Sequence, residues 1–179
     1  MSVFTNASNS TPEEIAAYVD AVLDLVGNRD PLSVLRETPI ALRRAIADVT
    51  LAQLRKPELP GKWSVAHVLQ HLADSEVVWA WRLRLVLAQD RPHLTGYDQD
   101  QWAARLGYGN ANPSESLEEF SVLRRANMRL LDRATADDLA RVGLHSERGE
   151  ESLGHLRRLY AGHDLLHLRQ IDRILAAVR

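Results

Sequence analysis

The chain has 179 residues, about one domain's worth, with 45% hydrophobic and 26% charged residues, which excludes a fibrous or wholly disordered protein. Its 22 basic and 24 acidic residues leave a net charge of −2, with no basic surplus to draw nucleic acid or an anionic membrane. Cysteine is absent, which excludes disulfides, thiolate metal sites, iron–sulfur clusters and cysteine nucleophiles. The first residues show neither the basic nor the apolar region of a secretory signal. The longest apolar stretch, Val77 to Val86, is broken by Arg82 and Arg84. A cytoplasmic location with no membrane contact is expected, with residues 1–10 a flexible tail on a single domain spanning 1–179.

Helical period dominates, punctuated by caps. Thr11-Pro12-Glu13-Glu14 reads as N-cap, N1 proline and capping-box Glu, opening a helix that Gly27 and Asn28 close. Ile40, Leu42, Ala45, Ile46, Val49 and Leu51 place a second helix at about Thr38 to Arg55. Pro57, Pro60 and Gly61 make a loop, and Ser64 caps a third helix that runs to about Ala88. Residues 91–112 read as a long crossover loop, in which Asp98 and Gln101 cap one short helix. Ser116-Leu117-Glu118-Glu119 opens a helix to about Arg133, and Thr135 starts a short one. Gly143 to Glu150 reads as a turn, after which Ser152 caps the last helix. No β-alternating run exceeds about four residues. The fold class is therefore all-α, an antiparallel four-helix bundle with a long crossover and short extra helices.

The histidines carry the chemical signal. Composition alone gives roughly 0.3 pairs at i,i+4, yet His67/His71 and His163/His167 are both present. That spacing puts two imidazoles on one helix face, which suits a shared metal. Leu156, Tyr160, His163, His167, Ile171, Ile174 and Val178 advance by three or four, so histidine fills two central positions of a core-facing stripe. Either a metal satisfies those rings, or they are core histidines hydrogen-bonded to backbone or carboxylate. His71 lies within about 20° of Val78 and 40° of Leu85 on a helical wheel and also faces inward. His67, one turn nearer the helix start, is the weaker candidate. Asp74, one turn after His71, can orient a ligand ring or coordinate directly.

Gly61-Lys62-Trp63-Ser64-Val65, His71-Leu72-Ala73-Asp74-Ser75, Tyr97-Asp98-Gln99-Asp100-Gln101-Trp102 and His163-Asp164-Leu165-Leu166-His167 follow one another in an order that resembles the DinB/YfiT-like family of metal-dependent enzymes. The likeness spans roughly Leu54 to Leu175, and the Tyr97–Trp102 stretch points to the YfiT-like branch. It implies a four-helix bundle with a long connection after the second bundle helix. It also implies metal ligation by His71, His163 and His167, with no role for His67. Where the family often has a further histidine after the last ligand, this chain has Leu168, which is not a ligand position. Members similar to this branch are linked to transfer of low-molecular-weight thiols, bacillithiol or mycothiol, onto electrophiles, and others to hydrolysis.

Three neutral imidazoles leave a divalent ion open positions and its full charge, as in a catalytic site. The expected function is a metal-dependent transferase joining a thiol co-substrate to a small electrophile. The alternatives are a zinc-type hydrolase using metal-bound hydroxide, or a stress protein that binds metal or ligand without turnover. Zinc is the expected ion, with nickel, iron or manganese compatible. Asp74, Tyr97 and Asp98 are the catalytic candidates, although Asp98 also reads as a helix cap and Tyr97 as a loop anchor. Arg82, on the His71 side of its helix, is the substrate-binding candidate, able to meet a carboxylate of a thiol co-substrate, although it also reads as a solvated or ion-paired surface arginine. The tryptophans read as packing, and Arg124-Arg125 as a solvated face. The partner is a small molecule rather than nucleic acid or membrane, and a homodimer is expected from the family likeness.

Overall fold

The computed structural model describes residues 11–178, so the expected N-terminal tail lies outside the described residues. Helix α1 (Pro12–Val26) starts as its sequence dictates. Thr11 accepts the Glu14 N–H while the Glu14 carboxylate takes the Thr11 N–H, and Gly27, at φ 54°, ends the helix. Helix α2 (Pro31–Ile46) begins seven residues before the expected Thr38. Asp30 caps it through the Leu32 and Ser33 N–H groups, and Pro31 occupies the first helical position, where a missing N–H costs nothing. The single helix expected to Arg55 is two, because Thr50 and Gln53 form a second capping box that restarts the chain as α3 (Leu51–Arg55).

Helix α4 (Val65–Ala88) matches expectation and gives His67 a local task. Its Nδ1 takes the Ser64 hydroxyl at 2.8 Å and faces the Ser64 N–H at 3.4 Å, closing the cap. The crossover holds α5 (Gln99–Arg105), capped by Asp98, and one 3₁₀ turn at Tyr108–Asn110. Helix α6 (Pro113–Leu131) starts at Asn112-Pro113 rather than at Ser116, by the same cap-and-proline device as α2. Thr135 caps α7 (Ala136–Ala140). The expected turn around Gly143 to Glu150 is a hairpin of β2 (Val142–His145) and β3 (Gly149–Ser152), with β1 (His93–Leu94) parallel to β2 on its outer side. These strands are too short for alternation to register in the sequence. Ser152 takes the His155 N–H at the start of α8 (Leu153–Val178). None of the described helices is long and apolar enough to cross a membrane.

The bundle is α2, α6, α4 and α8 in order around its axis, with α1 laid against α8. Its core falls into two apolar layers. One gathers Leu35, Trp79, Leu83, Val86, Met128, Leu131 and Leu156, and the other Leu42, Leu69, Leu72, Phe120, Ile171 and Ile174. Between them each helix contributes polar residues: Thr38, then Glu76, then Arg124 with Asn127, then Asp164. Arg124 is no solvated face; it is 2% exposed and sits in the waist of the bundle. Its guanidinium donates to Glu76 Oε1 and to both Asp164 oxygens, and Nη1 also reaches the Leu35 carbonyl at 2.8 Å. Pro39 has no N–H to offer the carbonyl four residues back, and that carbonyl is Leu35. Arg124 supplies the donor the proline withholds. Trp79 is fully buried, as expected, whereas Trp81, expected to pack, is 64% exposed on the outer face of α4.

Two expectations follow. Arg124→Met strands two buried carboxylates and is expected to cost about 3–5 kcal/mol in urea unfolding, while replacing Glu76, Arg124 and Asp164 together by apolar residues recovers much of that loss. An unchanged midpoint for the single variant would refute the buried cluster. At Gly162 an added Cβ would stand 2.1 Å from the Val22 carbonyl oxygen, because α1 crosses α8 there backbone to backbone. Gly162→Ala is therefore expected to lose about 1–3 kcal/mol; equal thermal stability would mean that α1 is not seated on α8.

Candidate metal centre

The three imidazoles singled out in the sequence converge beside the polar waist. His163 Nε2 stands 3.2 Å from Nε2 of His71 and 3.1 Å from Nε2 of His167. One chain segment, α8, holds two of them one turn apart, and α4 brings the third across the bundle. His71 is fully buried, His167 nearly so, and His163 partly exposed. Trp63 lies over the His71 ring at 5.1 Å between centroids, and Tyr160 is 6.2 Å from His163.

Burial pushes all three rings below the usual imidazole range, His167 to about 4, with neighbouring positive charge adding to the effect at His71 and His163. At neutral pH they are three neutral rings. Protons alone cannot satisfy that arrangement, because the shared His163 nitrogen can either donate once or accept, not both. Tetrahedral donors about 2.0–2.1 Å from a zinc ion are about 3.3 Å from one another, so the observed spacing fits a common cation. His167 is prepared for it: Nδ1–H donates to Gln170 Oε1 at 2.7 Å, which leaves the Nε2 lone pair facing the centre.

The other candidate residues are placed as follows. Asp74 accepts the Tyr108 hydroxyl at 2.5 Å and the Gln70 amide at 3.3 Å, and no described hydrogen bond joins it to the three rings. Gln70 in turn takes the Ser116 hydroxyl at 2.7 Å, so Asp74 pins the crossover and α6 to α4. Tyr97 is nearer the centre. Its hydroxyl is 3.1 Å from Ser75 Oγ, which is 3.5 Å from His71 Nε2, and burial raises its pKa. Asp98 uses its carboxylate to cap α5 through the Asp100 and Gln101 N–H groups. Arg82 is 6% exposed and donates to the Thr95 carbonyl at 2.6 Å.

Sequence reasoning missed Ser75, Gln170 and the Arg124 cluster. Gln170 lies three residues after His167, the helical spacing at which side chains meet, so pattern could have found it. Arg124 follows Leu117 and Phe120 and precedes Met128 and Leu131 at steps of three and four. That is the same polar-in-apolar-stripe signal that exposed the histidines.

Known proteins share the sequence pattern and the bundle. Residues 35–171 match the DinB superfamily model. A protein of Oceanobacillus iheyensis is 30% identical over 143 residues, covering 80% of this chain and 83% of the relative. YfiT of Bacillus subtilis is 31% identical over 144 residues, covering 80% and 81%. Both bear the name "putative metal-dependent hydrolase". The solved structure of Bacillus subtilis YfiT, described as a four-helix bundle of unusual topology, superposes with a TM-score of 0.71 at 25% identity, over 95% of this chain and 92% of that one. With its bundle shared by that structure and most of its length matched by the family, this chain belongs to the DinB superfamily.

Proposed function

We propose that the protein is a metal-dependent enzyme that holds a divalent cation, zinc first, on His71, His163 and His167 and transfers a low-molecular-weight thiol onto an electrophilic small molecule. The observation that carries the metal reading is the pair of 3.1 and 3.2 Å contacts among three Nε2 atoms on two buried rings and one half-buried ring. A divalent ion on three neutral rings keeps its full charge and acts as a Lewis acid that makes a weak nucleophile reactive at neutral pH. The rest of the work falls to the chain itself. Gln170 fixes the tautomer of His167, and Trp63 covers one side of His71. Ser75 and Tyr97 extend a line of hydroxyls from His71 Nε2 toward the crossover, where they can hold a substrate oxygen or relay a proton. With no cysteine in the chain, a thiol nucleophile comes only on a co-substrate. The names of the Oceanobacillus and Bacillus relatives favour a second reading, in which water is the nucleophile and the reaction is a hydrolysis.

Untagged protein loaded with zinc separates these readings. Incubated with an electrophilic haloarene and bacillithiol, mycothiol or cysteine, it is expected to form the thioether. His167→Ala is expected to lose bound zinc and at least a hundredfold in kcat/KM, and Tyr97→Phe to lose roughly tenfold in kcat while keeping zinc. Turnover of ester or amide substrates without thiol would establish the hydrolase instead. Stoichiometric zinc with no turnover of either kind would leave a binding protein, and no zinc at all would remove the metal reading.

A pH series tests the buried rings independently. His167 titrates at about 4 and His145 at about 3 in the folded chain, against about 6.5 unfolded. Below about pH 6.5 the unfolded chain therefore takes up protons that the folded chain refuses, and stability falls toward pH 4. Each ring contributes up to about 1.4 kcal/mol per pH unit across that window. Metal-free protein is expected to show a lower urea midpoint at pH 5 than at pH 7, and a flat profile would contradict the burial of these rings.

A further inference from the structure

Arg82 and His145 both belong to the region where α4 passes the small sheet, Arg82 through its bond to Thr95 just after β1 and His145 through its place in β2, the strand beside β1. Arg82 is 6% exposed, yet no carboxylate among the described residues pairs with it. Its Nη2 donates to the Thr95 carbonyl, while its Nε–H is buried with no acceptor. Thr95 follows Leu94, the residue that β1 sets in register against His145 of β2. His145 is 4% exposed, and its Nδ1 accepts the Glu147 N–H at 3.2 Å. In the neutral ring the proton must then sit on Nε2, which is likewise buried without an acceptor. Burial first, then the charges of Arg148 and Arg82, keep this ring neutral by holding its pKa at about 3.

Two orphaned N–H donors from separate elements, one carried by a full positive charge, are thus brought to one short segment, Leu94–Thr95, without an acceptor among the described residues. Arg148, the other cation nearby, is spent on a two-pronged pair with Glu151 at 2.6 and 2.8 Å. Native chains rarely leave buried donors unmet. A planar guanidinium edge with a neighbouring imidazole N–H suits the two oxygens of a carboxylate. A line of hydroxyls joins this segment to the histidines: Tyr97, two residues beyond Thr95, is 3.1 Å from Ser75 Oγ, which stands 3.5 Å from His71 Nε2.

We propose that Arg82 and His145 form a carboxylate-binding subsite, and that the substrate handled at the three-histidine centre is a small molecule carrying a carboxylate at the end remote from its reacting group. The second clause rests on the function proposed above; the first stands without it.

The test uses metal-free protein, so that no probe binds through a metal, with succinate titrated by calorimetry against its neutral diamide. Succinate is expected to bind and succinamide not. Arg82→Gln is expected to weaken succinate at least tenfold and His145→Phe several-fold, while Arg36→Gln, at an exposed arginine paired with Asp132, stays within twofold of the parent. Circular dichroism checks that each variant folds. If Arg82→Gln does not fold, His145→Phe and Arg82→Lys carry the comparison, with Arg82→Lys expected to keep part of the affinity. No succinate binding, equal binding of the diamide, or unaltered affinity in the folded Arg82 and His145 variants would overturn the subsite. Inorganic phosphate binding where succinate does not would overturn the carboxylate assignment. Zinc binding without succinate binding defeats this proposal alone, whereas succinate binding without zinc binding defeats the metal reading alone.

Discussion

One guanidinium touches all four helices of the bundle. Arg124 on α6 grips Glu76 on α4, Asp164 on α8 and the proline-freed Leu35 carbonyl on α2. Apolar layers alone set helices at a distance but tolerate sliding and rotation, since one aliphatic contact resembles the next. Directed bonds to a fixed fork do not. Asp164 precedes Leu165 and follows His163 directly, so turning its carboxylate to Arg124 also sets the angle at which His163 and His167 leave α8. Glu76 does the same for α4, where His71 lies five residues before it. The ion cluster thus ties together the two helices, α4 and α8, that carry the three imidazoles.

The cost of that cluster explains why it lies where it does. One cation faces two carboxylates, and burial raises the Glu76 pKa against the pull of Arg124. Buried ion groups of this kind seldom add net stability over apolar packing. Here they are enclosed by apolar layers on both sides and satisfied bond by bond, with Asn127 supplying Glu76 Oε2 at 2.9 Å. What the arrangement provides is a unique register, which a site built from residues on two separate helices requires.

Much of this was legible in sequence, and the failures share causes. Thr11-Pro12 marks a helix start, and Asp30-Pro31 and Asn112-Pro113 carry the same signature, whereas apolar periodicity and the acidic turn after Ser116 place α2 and α6 seven and three residues late. Pro39 lies inside α2, where the carbonyl it leaves free is taken by a distant arginine, a tertiary effect with no local trace. The hairpin escaped because four-residue strands hold at most two alternations. At the site, polar residues in apolar stripes revealed the histidines, and the same rule applied to Arg124 would have revealed the waist. The paired roles of Ser75 and Tyr97 depend on where a long crossover returns, which spacing does not encode. Trp81 shows the converse, a large apolar side chain that composition assigns to the core and geometry leaves outside.

The electrostatics of the waist and of the centre bear on each other. Three uncharged rings offer lone pairs but no negative charge, while the cluster beside them carries one more carboxylate than cation when both acids are ionised. Asp164 favours positive charge at His167, and Arg124 opposes it at His163. A single added proton would charge one buried ring at the expense of its desolvation and leave the other two facing it. A divalent cation shared by all three rings distributes its charge over three donors, and the neighbouring carboxylates offset part of the cost of burying it. By this reasoning Asp164, whose charge favours positive charge at His167, would lower the cost of the proposed cation and so give the Arg124 cluster an electrostatic role beside its geometric one.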